Sequence, residues 1–123
     1  VHAALRHYWG GPGLSQSRLL ELLIVQDALV ENENNPVRAL RSILLTAIEN
    51  QRPNGERDMK SQEWTLYNIL HLRFIENRKV RDTAHRLYMS QANLYRKQSI
   101  AIEAIADTLI EMELNTLSAS VEL

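Results

Sequence analysis

Apolar residues recur at helical spacing along most of the chain. Between positions 37 and 48, steps of three and four residues connect Val37, Leu40, Leu44, Ala47 and Ile48, which is the spacing of one face of an α-helix. The runs Trp64–Ile75 and Leu94–Met112 repeat this pattern, and no segment alternates apolar and polar residues as a strand does. The pattern therefore predicts an all-α fold, a small helical bundle.

The first thirty residues predict two helices separated by a tight turn. The first covers 2–9 and stops at Gly10-Gly11-Pro12-Gly13, a sequence that interrupts helices. The second has Ser15 or Ser17 as its N-cap and runs to about Leu29. Because apolar residues cover most of its sides, we expect this second helix to be buried.

The middle of the chain predicts a third and a fourth helix. Asn35 is suited to cap the third, and Pro36 to begin it, since a proline at the first position forfeits no hydrogen bond. This helix is expected to end before Arg52-Pro53-Asn54-Gly55, a turn sequence. Ser61 can cap the fourth helix, and a left-handed Asn77 can end it.

The stretch 80–97 has the pattern of a helix-turn-helix, with a first helix over 80–87. Such a unit needs a small residue where its helices touch, apolar residues beside its turn and an apolar anchor on its second helix. The residues with these properties are Ala84, Leu87, Met89 and Leu94. Ser90 can cap the second helix, which is long and is expected to end near Met112.

The charge of the chain is unevenly distributed, although its net value is only -1. The segment 14–35 has one basic residue and four acidic ones, whereas the segment 78–98 has six basic residues and one acidic one. Because DNA is recognised first through its phosphates, basic residues clustered on a helix-turn-helix indicate a nucleic-acid-binding surface.

The block Trp64–Ile110 resembles region four of bacterial sigma factors. The resemblance rests on the apolar run Leu66–Ile75, the connector Glu76–Lys79 and the run Leu94–Ile105. The chain as a whole also resembles the helical N-terminal region of some large bacterial signalling proteins. The resemblance implies a cytoplasmic DNA-binding domain of a bacterial transcription regulator or signalling protein, with its second helix in the major groove.

The resemblance and the charge together predict two sets of DNA contacts. The residues expected to meet base edges are Gln91, Ala92, Tyr95 and Arg96. The residues expected to meet phosphates are Arg78, Lys79, Arg81, Arg86, Ser90 and Lys97. The expected partner is therefore double-stranded DNA, and a second copy of the chain or a fused ATPase or repeat region are further expected partners.

Two positions depart from the resemblance. Tyr88 stands at the turn position that glycine normally holds, and a non-glycine residue with positive φ costs on the order of 1 kcal/mol. Lys97 stands where apolar residues are common. These departures, with the apolar runs Leu19–Val25 and Trp64–Ile75, keep an alternative open. In it, the bundle is an adaptor or oligomerisation module that retains the helix-turn-helix as a scaffold.

The sequence gives little indication of catalysis, metal binding or cofactor binding. There is no cysteine, the four histidines lack ligand spacing and no glycine-rich phosphate loop is present. We therefore expect no enzyme, no metal and no cofactor. No apolar run reaches the roughly 20 residues that cross a bilayer, so we expect no membrane partner.

The chain divides into three predicted parts. A helical N-terminal part over 1–60 packs on the motif, the helix-turn-helix covers 61–112, and a tail or linker covers 113–123. The chain begins with Val1 rather than methionine, as expected of a piece of a longer protein.

Overall fold

The computed structural model describes residues 1–121, and these residues form helices and loops without a strand, which confirms the predicted fold class. The α-helices are α1 His2–Arg6, α2 Pro12–Ser15, α3 Leu23–Asp27, α4 Pro36–Glu49, α5 Thr65–Leu70, α6 Val80–Arg86 and α7 Gln91–Val121. Short 3-10 helices cover Arg18–Glu21, Val30–Asn32 and Gln62–Trp64. A π-helical turn, His71–Ile75, continues α5.

Several helix ends lie where the sequence predicts them. The Asn35 side chain accepts hydrogen bonds from the N–H groups of Val37 and Arg38, at 3.1 and 3.2 Å, and Pro36 opens α4. Asn77 has a φ of 55°, the left-handed conformation expected after the fourth predicted helix. These ends are local, since each is decided by one side chain and the backbone beside it.

The predicted continuous helix up to Leu29 is wrong. The segment instead forms α2, a 3-10 turn and α3, with an extended Leu22 (φ -63°, ψ 143°) separating the last two. The carboxylate of Glu113 accepts hydrogen bonds from the N–H groups of Leu23 and Ile24, at 3.0 and 3.1 Å. A distant residue on α7 therefore begins α3, and no sequence-local signal predicts that.

The first helix is also shorter than predicted, because the turn after it folds back onto it. The Gly13 N–H donates to Nδ1 of His7 at 2.6 Å. A Cβ atom at Gly13 would lie 2.4 Å from the carbonyl oxygen of Ala3, so only glycine allows this approach. The helix consequently ends at Arg6 rather than continuing to Trp9.

Two hydrophobic cores hold the bundle together. The larger one joins α1, α3, α4 and the α5 region to the middle of α7, with fully buried side chains such as Leu5, Leu44 and Ile105. The smaller one belongs to the helix-turn-helix and consists of Ile69, Leu72, Ala84, Leu87 and Leu94, with Met59, Val80 and Met89 packed against it. Because α7 passes through both cores, it fixes the motif relative to the bundle.

The last helix is longer than predicted. It continues beyond Met112 to Val121, so the described part of the predicted tail, 113–121, is helical. The chain has no glycine or proline after Gly55, and residues such as Leu114 and Leu117 favour helix, so nothing in the sequence ends the helix near Met112. The last two residues of the predicted tail, 122–123, lie outside the described residues.

Candidate nucleic-acid interface

The turn between α6 and α7 closes around Tyr88. Tyr88 has a φ of 56°, the conformation that favours glycine, and its N–H donates to the carbonyl oxygen of His85 at 3.2 Å. The Met89 N–H donates to the carbonyl oxygen of Ala84 at 3.0 Å. The glycine-type turn therefore forms with a tyrosine in it, and the cost of that conformation is offset by hydrogen bonds that terminate α6.

The packing residues of the motif are placed as the sequence predicts. Ala84 and Leu94 are buried against Leu87 in the smaller core. The Ser90 Oγ accepts a hydrogen bond from the Asn93 N–H at 3.1 Å, which caps α7. Residues 80–97 thus form two helices joined by a tight turn, with the start of α7 packed on α6.

The four predicted base contacts are all exposed on the first two turns of α7. Gln91 and Tyr95 are four positions apart, as are Ala92 and Arg96, so the two pairs lie beside each other on one side of the helix. The Tyr95 side chain is 54% exposed, which leaves its ring available to a ligand. The Arg96 guanidinium donates to Oδ1 of Asn93 at 2.7 Å, and this hydrogen bond holds it along the helix surface.

A shallow groove of about 640 Å³ lies between α6 and the start of α7. Its lining residues are Lys79, Arg81, Asp82, Ala84, His85, Met89, Ser90 and Gln91. The structure therefore brings together three of the predicted phosphate contacts (Lys79, Arg81 and Ser90) and one predicted base contact. His85, which is exposed, lines the same groove.

Not every predicted phosphate contact is free to meet an anion. Arg78 donates to Glu76 at 2.9 Å and to Asp82 at 3.0 Å. The Nε atom of Arg86 lies 3.9 Å from the second oxygen of Asp82, although the Arg86 side chain is exposed. Asp82 therefore partly neutralises two of the six predicted phosphate contacts, and Lys97, a third, is partly buried.

Glu76 completes this charged network. Partial burial acts to raise its pKa, but hydrogen bonds with Arg78 and with Nδ1 of His71, at 2.9 and 3.0 Å, outweigh it and lower the pKa of Glu76 from its ordinary value of 4.5. The same carboxylate and that of Asp82 raise the pKa of Arg78, which stays charged in any case.

The sequence alone did not predict the roles of Arg73 and Gln98, which hold the motif on the bundle. The Nε of Arg73 donates to Oε1 of Gln98 at 2.9 Å, and its Nη1 donates to the carbonyl oxygen of Arg78 at 2.6 Å. Gln98 is only 4% exposed, and burial lowers the pKa of Arg73. The sequence does contain a signal for the burial of Gln98, because this residue falls four positions after Leu94 and three before Ala101, on the buried stripe of α7.

The loop before α5 also reaches the motif. Met59 packs against the smaller core, and Nζ of Lys60 lies 5.6 Å from the centroid of the Tyr88 ring, whose side chain is 77% exposed. Asn68, which is fully buried, holds this loop by accepting from Arg57 at 2.9 Å and donating to the carbonyl oxygen of Asp58 at 3.0 Å. The loop thereby adds Lys60 to the basic surface beside the turn.

Other kinds of site are not apparent in the part of the chain that the structure describes. Across residues 1–121, no three His, Asp or Glu side chains are grouped so as to hold a metal ion. No helix within the same range combines the length and apolar character needed to span a bilayer. Comparisons of this chain with protein families, with curated proteins and with solved structures returned no match.

Proposed function

We propose that this domain binds double-stranded DNA, with the start of α7 in the major groove, as part of a bacterial transcription regulator or signalling protein. The observation that supports the proposal most is the exposed face of Gln91, Ala92, Tyr95 and Arg96, which adjoins a groove lined by Lys79, Arg81 and Ser90. Amide and guanidinium groups are suited to base edges, and ammonium groups to phosphates.

The proposal assigns different tasks to the two kinds of residue. Arg96 and Gln91 would discriminate between base pairs, each by roughly 1–3 kcal/mol for a bidentate contact. Lys79 and Arg81 would position the domain on the backbone without reading sequence. Arg96 must exchange its hydrogen bond with Asn93 for one with a base, so its net contribution is smaller than that of a free arginine.

The alternative, that the bundle is a protein-protein interaction module, is based on the two apolar runs Leu19–Val25 and Trp64–Ile75. In the structure, Ile24 and Val25 of the first run and Trp64, Ile69 and Phe74 of the second are buried in the two cores. These five side chains stabilise the bundle and are withdrawn from the surface, although Leu19, Leu22 and Leu23 of the first run remain partly exposed. For this reason we place DNA binding first.

The test is fluorescence anisotropy of a labelled random-sequence duplex pool, titrated with the domain at two salt concentrations. We expect binding that weakens steeply with salt. A plot of the logarithm of the association constant against the logarithm of the salt concentration should have a slope of about -0.9 per phosphate contact. Lys79→Ala should weaken binding to all sequences and lower that slope by about 1. Arg96→Ala should relax the preference among sequences selected from the pool.

The matched control is Arg18→Ala, which removes the same charge from an exposed position on a distant 3-10 turn. It should leave the affinity within about twofold, because a surface charge beyond a Debye length of ~10 Å is largely screened. No binding at the lower salt concentration, or equal losses in Arg18→Ala and Lys79→Ala, would refute the proposed DNA surface.

A further inference from the structure

A second, apolar groove lies between the 3-10 turn Arg18–Glu21 and the second half of α7. It shares no lining residue with the groove of the helix-turn-helix. It has a volume of about 270 Å³, and its lining residues are Val1, Leu19, Leu22, Ala106, Leu109, Ile110, Glu113 and Leu114. Glu113 is the one acidic lining residue, and its carboxylate is occupied by the N–H groups of Leu23 and Ile24. The groove itself is therefore almost entirely apolar.

The edge of this groove is a stripe of exposed apolar side chains on α7. Ile110, Leu114 and Leu117 are 58%, 57% and 42% exposed. They are four and three positions apart, which is the spacing with which one helix packs lengthwise on another. The neighbouring stripe of α7, which includes Ile105 and Leu109, is already buried in the larger core. The exposed stripe is thus a second helix-packing surface that the described chain leaves uncovered.

Acidic residues outnumber basic ones around this stripe. Between Gln98 and Val121, α7 carries four acidic residues and no basic one, and the segment 18–35 carries four acidic residues against a single basic one, Arg18. Within the described residues, only one of these eight carboxylates, that of Glu33, forms an ion pair, with Arg38. The groove and its surroundings therefore favour a positively charged occupant.

We propose that this groove binds a basic amphipathic helix of a partner protein. Its apolar side chains would lie in the groove against Leu22, Ile110 and Leu114, and its lysines or arginines would meet exposed carboxylates such as those of Asp107 and Glu111. Groove-to-groove pairing of two copies of this chain is disfavoured, because it would bring like charges together. DNA is excluded from this groove for the same reason, because its phosphates are negatively charged.

The proposal goes beyond DNA binding and does not depend on it. The experiment uses a labelled synthetic peptide of about 18 residues, or five helical turns, with leucines three and four positions apart and lysines beside them. The comparison peptide has glutamate in place of every lysine. We expect saturable binding of the lysine peptide to the domain and none of the glutamate peptide, measured by anisotropy.

Variants of the domain locate the site. Leu114→Ser and Ile110→Ser should each weaken binding of the lysine peptide by about tenfold, the effect of removing one buried large apolar side chain. Asp107→Asn together with Glu111→Gln should weaken it several-fold and reduce its salt dependence. The control is Leu45→Ser on α4, where the leucine is 38% exposed but far along the chain from the groove. Thermal unfolding verifies that all variants are folded.

Three results would overturn the proposal. One is the absence of saturable binding, and another is lysine-peptide binding that Leu114→Ser does not weaken more than Leu45→Ser does. The third is concentration-dependent self-association in sedimentation that Leu114→Ser abolishes, since that would make a second copy the occupant. Because DNA binding is measured separately, the failure of either proposal leaves the other intact.

Discussion

The guanidinium of Arg78, which lies just before α6, donates a hydrogen bond at 3.0 Å to the carboxylate of Asp82 in the first turn of that helix. The other oxygen of Asp82 lies 3.9 Å from Arg86. A single carboxylate thus lies between two of the residues predicted to contact phosphates, and it lines the groove that contains Lys79 and Arg81. Its position leads to a prediction about DNA affinity.

Replacement of Asp82 by asparagine should increase the affinity for duplex DNA. The change removes a negative charge from the proposed surface, frees Arg86 and leaves Arg78 paired with Glu76 alone, so we expect at least a threefold gain at low salt. The salt dependence should steepen by about one phosphate contact. The measurement is anisotropy at several salt concentrations.

The control for Asp82→Asn is Asp107→Asn, which makes the same charge change at an exposed position on the acidic half of α7. It should alter DNA affinity much less. If both variants bind DNA equally well, α6 is not close to the phosphates. A loss of up to about 0.5 kcal/mol in stability is expected for Asp82→Asn alone, since an acid in the first turn of a helix favours it.

Tyr88→Gly should stabilise the protein slightly, whereas Tyr88→Val should destabilise it. Glycine relieves about 1 kcal/mol of strain at a φ of 56°, and the loss of the exposed contact with Lys60 offsets about half of that. A β-branched valine tolerates positive φ worse than tyrosine does. We expect the two variants to differ by about 1–2 kcal/mol in urea unfolding.

The same pair of substitutions at Tyr95 provides the control. Tyr95 lies inside α7, where glycine costs about 1 kcal/mol relative to alanine and valine costs less. The order of stability should therefore reverse, with glycine the worse residue at 95 and the better one at 88. The same order at both positions would show that the turn does not impose left-handed backbone on residue 88.

Gln98→Leu should destabilise the protein although it adds an apolar residue to a buried position. The substitution removes the acceptor of the Arg73 guanidinium and leaves that charged donor partly buried without it, which costs roughly 1–3 kcal/mol. Gln91→Leu, on the exposed face of the same helix, should change the free energy of unfolding by no more than about 0.5 kcal/mol. A Gln98→Leu protein as stable as the parent would mean that the Arg73–Gln98 hydrogen bond is dispensable.

Glu76→Gln should reduce the acid sensitivity of the fold. Because the pKa of Glu76 is lowered in the folded protein, its ionised form contributes stability that is fully present above its ordinary pKa of 4.5. That contribution is lost as the pH falls through the folded pKa. The side chain is 30% exposed, so we expect the loss to be below about 1 kcal/mol.

The measurement is the free energy of unfolding in urea between about pH 3 and pH 7. Glu76→Gln should be less stable than the parent at pH 7, and the difference should shrink below pH 4.5. Glu56→Gln, in an exposed loop where no ion pair forms, is the control. An equal pH dependence of the parent and Glu76→Gln would contradict the predicted role of this carboxylate.

The sequence by itself determined the features that depend on neighbouring residues. The caps formed by Asn35 and Ser90 and the left-handed Asn77 are each produced by one side chain and its own backbone, so they can be read locally. The buried position of Leu94 followed from helical periodicity and that of Ala84 from the helix-turn-helix pattern, whereas the exposed positions Gln91 and Arg96 were chosen from the resemblance.

Only the tertiary structure decided what depends on residues far apart in the chain. Glu113 begins α3 from 90 positions away, which is why the predicted helix up to Leu29 breaks into shorter pieces. Gln98 is buried because Arg73, 25 positions earlier, supplies a donor. The apolar groove beside Leu114 likewise exists only where α7 meets the segment near Leu19. Local propensity carries no information about such contacts, because their free energy comes from groups that folding alone brings together.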